Sequence, residues 1–142
     1  DMGYDTGDFL DDIRTDKGTS ISKMTPLDLG KSGKPSAIIP LIEYLKKGTP
    51  NERRLAASAI GKLQNDFLME CKKAIPYLIN NLELIEQPQG IQYSLKTLYR
   101  FNKNQITKTQ VEKIKNYYDN ESHKYYNDEL FKKLLYKFNK LF

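Results

Sequence analysis

Apolar residues recur along this chain at spacings of three and four, and each such stretch predicts one amphipathic helix. Ala37, Ile38, Leu41, Ile42 and Leu45 share one face of a helix that runs to about Lys47, where Gly48-Thr49-Pro50 breaks it. Asn51 is the expected cap of a second helix, with Leu55, Ala56, Ala59, Ile60 and Leu63 on one face and Gln64-Asn65-Asp66 as the following turn. A further pair is predicted from about Phe67 to Leu84, lined by Ile75, Leu78, Ile79 and Leu82, and from about Gln89 to Phe101, lined by Ile91, Leu95, Leu98 and Phe101. The last pair covers about Thr107 to Tyr118, with Val111, Ile114 and Tyr118 inward, and then Asp128 to Phe142. That final helix has a broad apolar side of Leu130, Phe131, Leu134, Leu135, Phe138 and Leu141. No segment alternates convincingly with the period of two that a half-buried strand requires, so the expected class is all-α.

These helices are copies of one another. Ala37-Ile38 with Leu41, Ile42 and Leu45 returns 37 positions later as Ala74-Ile75 with Leu78, Ile79 and Leu82, whereas the second helices match at an offset of 38. One residue is therefore inserted at the intervening turn. Pro40 and Pro76, 36 positions apart, lie within one residue of equivalent points in the first helices, and since proline has no N–H, each is expected to bend its helix there. Earlier, Thr25-Pro26 reads as a helix start, and Gly30, Ser32, Gly33 and Pro35 keep that helix short. Asp28-Leu29-Gly30-Lys31 looks like Ala59-Ile60-Gly61-Lys62, a half-repeat at the N-terminal end. A unit of this length cannot bury its own apolar face and stacks on copies of itself. Residues 25–142 are thus expected to form one helical repeat domain of about three pairs. Residues 1–24 are expected to be an irregular acidic leader or linker, in which Phe9, Leu10 and Ile13 could edge a marginal helix.

The second-helix run Arg53, Ala56, Ala59, Ile60, Gly61 and Leu63, following a bent first helix and a tight turn, resembles the HEAT repeat family. The resemblance covers residues about 25–101 and extends over 102–142 by periodicity alone. It implies a HEAT-like solenoid, a right-handed α–α superhelix whose second helices line the concave surface. The chain departs from the family in its turns. The family often places Asp there to pair with the Arg from repeat to repeat, whereas these turns read Gly48-Thr49-Pro50 and Glu86-Gln87-Pro88. The Arg equivalent in the next copy is Ile91. That ladder is expected to be absent, leaving stacking to apolar burial.

At 142 residues, 39% hydrophobic and 29% charged, the chain has the composition of a globular domain rather than a disordered one. No run approaches the ~20 apolar residues of a membrane span, and no signal-peptide pattern opens the chain, so a cytoplasmic location without a membrane partner is the expectation. A single cysteine, Cys71, makes no internal disulfide, and with the lone His123 it excludes the usual structural zinc sites. The net charge of +5 conceals an asymmetry. Residues 1–30 carry three basic against seven acidic side chains, a net of −4, and the rest carries 20 against 11, a net of +9. Such a split favours an acidic partner for the helical body, or the acidic leader lying along it as a gate.

Few residues suggest chemistry. Gly30-Lys31-Ser32 lacks the earlier glycine and the preceding strand of a phosphate loop, and reads as a helix-terminating turn. Asp5-Thr6-Gly7 matches the triplet of aspartic proteases, but without a strand before it or a second copy. The leader's Asp5, Asp8, Asp11, Asp12 and Asp16 lack the glycine and glutamate spacing of a calcium loop. Cys71 lies beside Lys72 and Lys73, which could lower its pKa, but has no obvious base and reads first as a packed residue. His123 is expected in a polar loop. No catalytic, cofactor or metal residue is expected, and the chain is not read as an enzyme. The strongest signal is a basic stripe opposite the apolar faces: Arg54 and Lys62, then Lys96 and Arg100 at equivalent or neighbouring points, then Lys133 and Lys137 in the last helix. On the concave face that the resemblance implies, these six residues form a positive track. The expected function is a non-catalytic binding or scaffold module for an acidic protein or peptide. The alternative is nucleic-acid binding through phosphate contacts, with exposed members of the tyrosine-rich C-terminal half stacking on bases.

Overall fold

The computed structural model describes the backbone of residues 24–119 and 121–142, and the side chains of all of these except residues 121–125. The leader, its Asp5-Thr6-Gly7 triplet and its Asp cluster lie outside the described residues. Among the described residues there are seven α-helices and no strand: α1 (Pro26–Ser32), α2 (Ile38–Lys47), α3 (Pro50–Cys71), α4 (Ile75–Asn80), α5 (Pro88–Tyr99), α6 (Lys108–Asp119) and α7 (Glu121–Leu141). Short 3-10 turns occupy Pro35–Ala37, Lys72–Ala74 and Asn81–Glu83.

Local chemistry sets the boundaries. The Thr25 hydroxyl accepts from the Asp28 N–H at 3.2 Å with Pro26 in the first helical position, where no donor is needed. Gly33, at φ 65°, closes α1 in the left-handed region that a side chain disfavours, so Gly30-Lys31-Ser32 is the last turn of a helix. At α3 the cap is Thr49 rather than Asn51. The Thr49 hydroxyl accepts from the Glu52 N–H while the Glu52 carboxylate accepts from the Thr49 N–H, a reciprocal pair that Asn51, one residue inside the helix, cannot make. The expected turn at Gln64-Asn65-Asp66 stays helical, and the break falls at Phe67 (φ −133°, ψ 48°). Likewise α7 is interrupted at Asn127 (φ −127°, ψ 18°), so the helix expected from Asp128 is preceded by a further helical segment. His123 lies in that segment instead of a loop; its side chain is outside the described residues.

The two offsets in the sequence reappear in the elements. α2 and α4 begin at Ile38 and Ile75, each directly after a 3-10 turn, and α3 and α5 begin at Pro50 and Pro88. Pro40 and Pro76 fall in the first turns of α2 and α4, and the missing N–H of each coincides with a junction from 3-10 to α geometry.

Helix α1 packs on α3, α3 on α5 and α5 on α7, while α2, α4 and α6 neighbour one another in turn and pair with α3, α5 and α7 respectively. Leu29, Leu41, Ile60, Ile75, Leu78, Leu98, Phe101, Phe131 and Phe138 belong to one continuous core. Two close approaches repeat. A Cβ on Gly30 would lie 2.8 Å from Ala59 Cβ, and a Cβ on Gly61 would lie 2.9 Å from Thr97 Oγ1. Ala59 and Thr97 are 38 positions apart, so α1 meets α3 as α3 meets α5. Because Arg54 lies beside Gly90 and Gly61 beside Thr97, α3 and α5 run parallel.

Stacking is not left to apolar burial alone, which corrects the expectation. Thr97 Oγ1 donates to the Ala57 carbonyl at 2.9 Å, Gln64 Nε2 to the Thr97 carbonyl at 2.8 Å, and Asn81 Nδ2 to Ser94 Oγ at 3.0 Å, all of them buried. No helix among the described residues is long and apolar enough to cross a membrane.

Candidate anion-binding groove

The last turn of α5 and the middle of α7 form a groove of about 200 Å³ lined by Leu95, Lys96, Tyr99, Arg100, Leu130 and Lys133. Spacing of four puts Lys96 and Arg100 on one face of α5, and Leu130 and Lys133, three apart, share a face of α7. Three of the six residues of the sequence stripe thus converge from two helices. The groove lining contains no carboxylate, and none of the three cations enters an ion pair among the described residues.

The remaining stripe residues are placed differently. Lys137 reaches back to the end of α5, where its ammonium donates to the carbonyls of Tyr99 and Phe101, the latter at 2.9 Å. It satisfies acceptors that a helix end leaves open, and burial lowers its pKa. Lys62 is exposed on α3. Arg54 donates through Nε and Nη2 to the Asn51 carboxamide oxygen, and it sits beside Gly90 in the first turn of α5. The ten residues from there to Arg100 span about 15 Å of helix, so Arg54 stands apart from the groove.

Two side chains that carry no charge pattern complete the geometry. Tyr99 lies 38 positions after Gly61, so where Gly61 lets α5 approach α3 closely, a phenol ring instead meets α7. Lys133 and Lys137 place their ammonium groups 5.2 and 4.5 Å from the ring centroid, a cation–π arrangement that holds both. Arg100 Nη1 donates to the Gly61 carbonyl, so its guanidinium is fixed to the neighbouring repeat. Leu95 and Leu130 read in the sequence as core positions; Leu95 is one, 1% exposed beneath the groove, and for Leu130 the spacing of three from Lys133 is the signal that places it in the groove wall.

Other hollows are less suited to a ligand. A larger one, about 340 Å³, is lined by Pro40, Glu43, Tyr44, Lys47, Gly48 and Glu52. Its charges are mutually committed, with Glu43 paired to Lys46 and Lys47 and Glu52 in the cap of α3. Cys71 is fully buried, and burial and then the neighbouring Glu70 push its thiol up to about 12. The expected influence of Lys72 and Lys73 is overridden because desolvation penalises the thiolate more. No group of three His, Cys, Asp or Glu side chains among the described residues is placed to hold a metal ion.

What the groove offers chemically is anion recognition beside apolar surface. It contains three cations, of which Arg100 and Lys133 are held by their neighbours, and a tyrosine, without a base or nucleophile in its lining. The chain matches no protein-family model, no curated protein and no solved structure. Its packed helical pairs are compatible with a helical repeat.

Proposed function

We propose that the chain is a non-catalytic binding module, built as a short HEAT-like solenoid, that engages an acidic protein or peptide through the groove between α5 and α7. The observation that carries this reading is the convergence of Lys96, Arg100 and Lys133 on one carboxylate-free groove. Cations in such a cleft reinforce one another's potential and raise the local concentration of an acidic segment. The solenoid reading is supported by the repeated element starts and by the equivalent contacts of Gly30 with Ala59 and Gly61 with Thr97. It predicts helix pairs stacked in a line rather than closed around one centre, and a crystal structure decides between them.

Phosphate backbone is the competing ligand for the same cations. Against base stacking within the groove stands Tyr99, whose ring already carries Lys133 and Lys137. The test is a fluorescence-anisotropy titration at rising salt, with an acidic peptide and with single- and double-stranded oligonucleotides, for the wild type and a Lys96→Glu, Lys133→Glu variant. Both substituted residues are exposed, so the helical circular dichroism and melting temperature should hold. The expected result is peptide binding that weakens with salt and falls at least tenfold in the variant. Equal binding by both proteins removes the groove. Binding of oligonucleotides alone transfers the function to nucleic acid, with a salt slope that reports the phosphates neutralised.

A further inference from the structure

We infer that the groove reads a specific pairing in its ligand, an apolar side chain adjacent to a carboxylate, and that Arg100 sets this specificity. The inference rests on the binding function proposed above and narrows its partner to amphipathic acidic segments. Two observations carry it. First, the groove is only partly basic. Partly buried Leu130 supplies apolar wall beside Lys96, Arg100 and Lys133, and Leu95, only 1% exposed, closes the floor. The groove's volume of about 200 Å³, open to solvent on one side, leaves room for one leucine-sized side chain to lie against the wall. A ligand bearing charge alone would leave that wall wet. Second, Arg100 is held in advance. Its Nη1 is committed to the Gly61 carbonyl, and no partner among the described residues takes its Nε or Nη2. The edge formed by those two nitrogens is the fork that accepts a carboxylate through two parallel hydrogen bonds. Anchoring one arm on the neighbouring helix reduces the rotamer freedom lost on binding, which a free surface lysine loses in full. The ligand's apolar group thus lies against Leu130 over the floor at Leu95, its adjacent carboxylate meets Arg100, and further acids meet Lys96 and Lys133 at the rim.

The test uses the full chain and two labelled peptides of equal charge, one with four glutamates around a central leucine and one with glycine in that place. The leucine peptide should bind about tenfold tighter at moderate salt, and that ratio should persist as salt screens the shared charges and weakens both. Leu130→Gln should collapse the ratio of the two affinities from about tenfold toward one, read within that variant so that any shared loss cancels. Arg100→Lys keeps the charge and a donor for the Gly61 carbonyl but loses the fork. It should weaken the leucine peptide about tenfold with a melting temperature near that of the wild type. Equal affinity for both peptides overturns the inference while the binding function stands. An Arg100→Lys protein that is stably folded and binds as the wild type does overturns the role of Arg100. Failure of both peptides to bind even at low salt removes the underlying function and this specificity with it.

Discussion

Gly30 and Gly61 show how much a single missing methyl group decides in this molecule. A Cβ at Gly30 meets Ala59 Cβ at 2.8 Å and Ala59 Cα at 3.1 Å, and neither atom can rotate away. At Gly61 the obstructing atoms are Thr97 Oγ1 and Arg100 Nη1, ends of side chains that can move. Alanine is the better helix former by ~1 kcal/mol, yet overpacking costs about 1–3 kcal/mol, so the packing term decides the sign at Gly30. Gly30→Ala should lower the melting temperature by several degrees, and a stability at or above the wild type would place α1 elsewhere than on α3. Titration offers a second residue-scale check. Cys71 is raised from 9.0 to about 12, and Tyr117, partly buried and hydrogen-bonded to Glu83, from 10.0 to about 12. Both groups keep their proton longer in the folded state than in the unfolded one. Their stabilising contribution is therefore complete below pH 9, and it is lost as pH rises through 9–12. Urea midpoints should fall steadily over that window, less steeply in Cys71→Ala, and the native thiol should resist alkylating reagents until the chain unfolds. The pattern of apolar residues indicated that Cys71 was packed; it could not weigh burial against the adjacent lysines, because that balance depends on how completely α3 and its neighbours exclude water.

Element ends were legible where the chemistry is local and were displaced where it is shared. The start at Thr25-Pro26 follows from two adjacent residues, whereas Pro50 and Pro88, which read as parts of turns, are the first residues of α3 and α5. The cap of α3 needed two residues read together, Thr49 and Glu52, and the polar triplet Gln64-Asn65-Asp66 suggested a turn that tertiary packing overrides. Gln64 is buried with its amide on the Thr97 carbonyl, a bond invisible without α5 in place. The C-terminal end of α5 is the same kind of case. No capping side chain of its own closes it; Lys137 of α7 supplies the donor. Arg100 donates to the Gly61 carbonyl, and Lys137, 37 residues later, donates to the carbonyl of Tyr99, 38 residues after Gly61. A cation-to-carbonyl rung thus links α5 to α3 and α7 to α5, in place of the acidic–basic ladder absent from the turns. Substituting Lys137 by Met preserves length and removes the donor. It should destabilise by about 1–3 kcal/mol, the usual penalty for orphaning buried acceptors, with the largest loss of amide protection at the α5–α7 contact. Protection lost evenly across the chain would mean the rung has no local role. Sequence reading took Lys137 for a ligand-facing charge because its period matches that of Lys133. The carbonyls of Tyr99 and Phe101, to which Lys137 donates, separate the two.

At the scale of the whole molecule, each helix of the set α1, α3, α5, α7 packs broadly on the one before and the one after, and α1 and α7 share no broad contact. Such an arrangement transmits a perturbation through intermediates rather than directly, because stability approximates a sum of unit and nearest-neighbour terms. The prediction concerns how lesions combine. Gly30→Ala acts at α1 on α3, and Lys137→Met acts at α7 on α5; their partners Ala59 on one side and Tyr99 and Phe101 on the other do not overlap. Their effects on unfolding free energy should add to within about 0.5 kcal/mol. Gly61→Ala, in contrast, adds a Cβ 3.2 Å from Arg100 Nη1, so it and Arg100→Lys disturb one shared contact and should couple by roughly 0.5–3 kcal/mol. Both cycles are read from urea unfolding followed at two spectroscopic signals, which must coincide for the free energies to be comparable. A closed bundle, in which every helix lines one shared centre, allows the distant pair to couple through that centre. Coupling above about 1 kcal/mol between the two ends would therefore count against linear stacking, and with it against a groove formed where successive second helices meet.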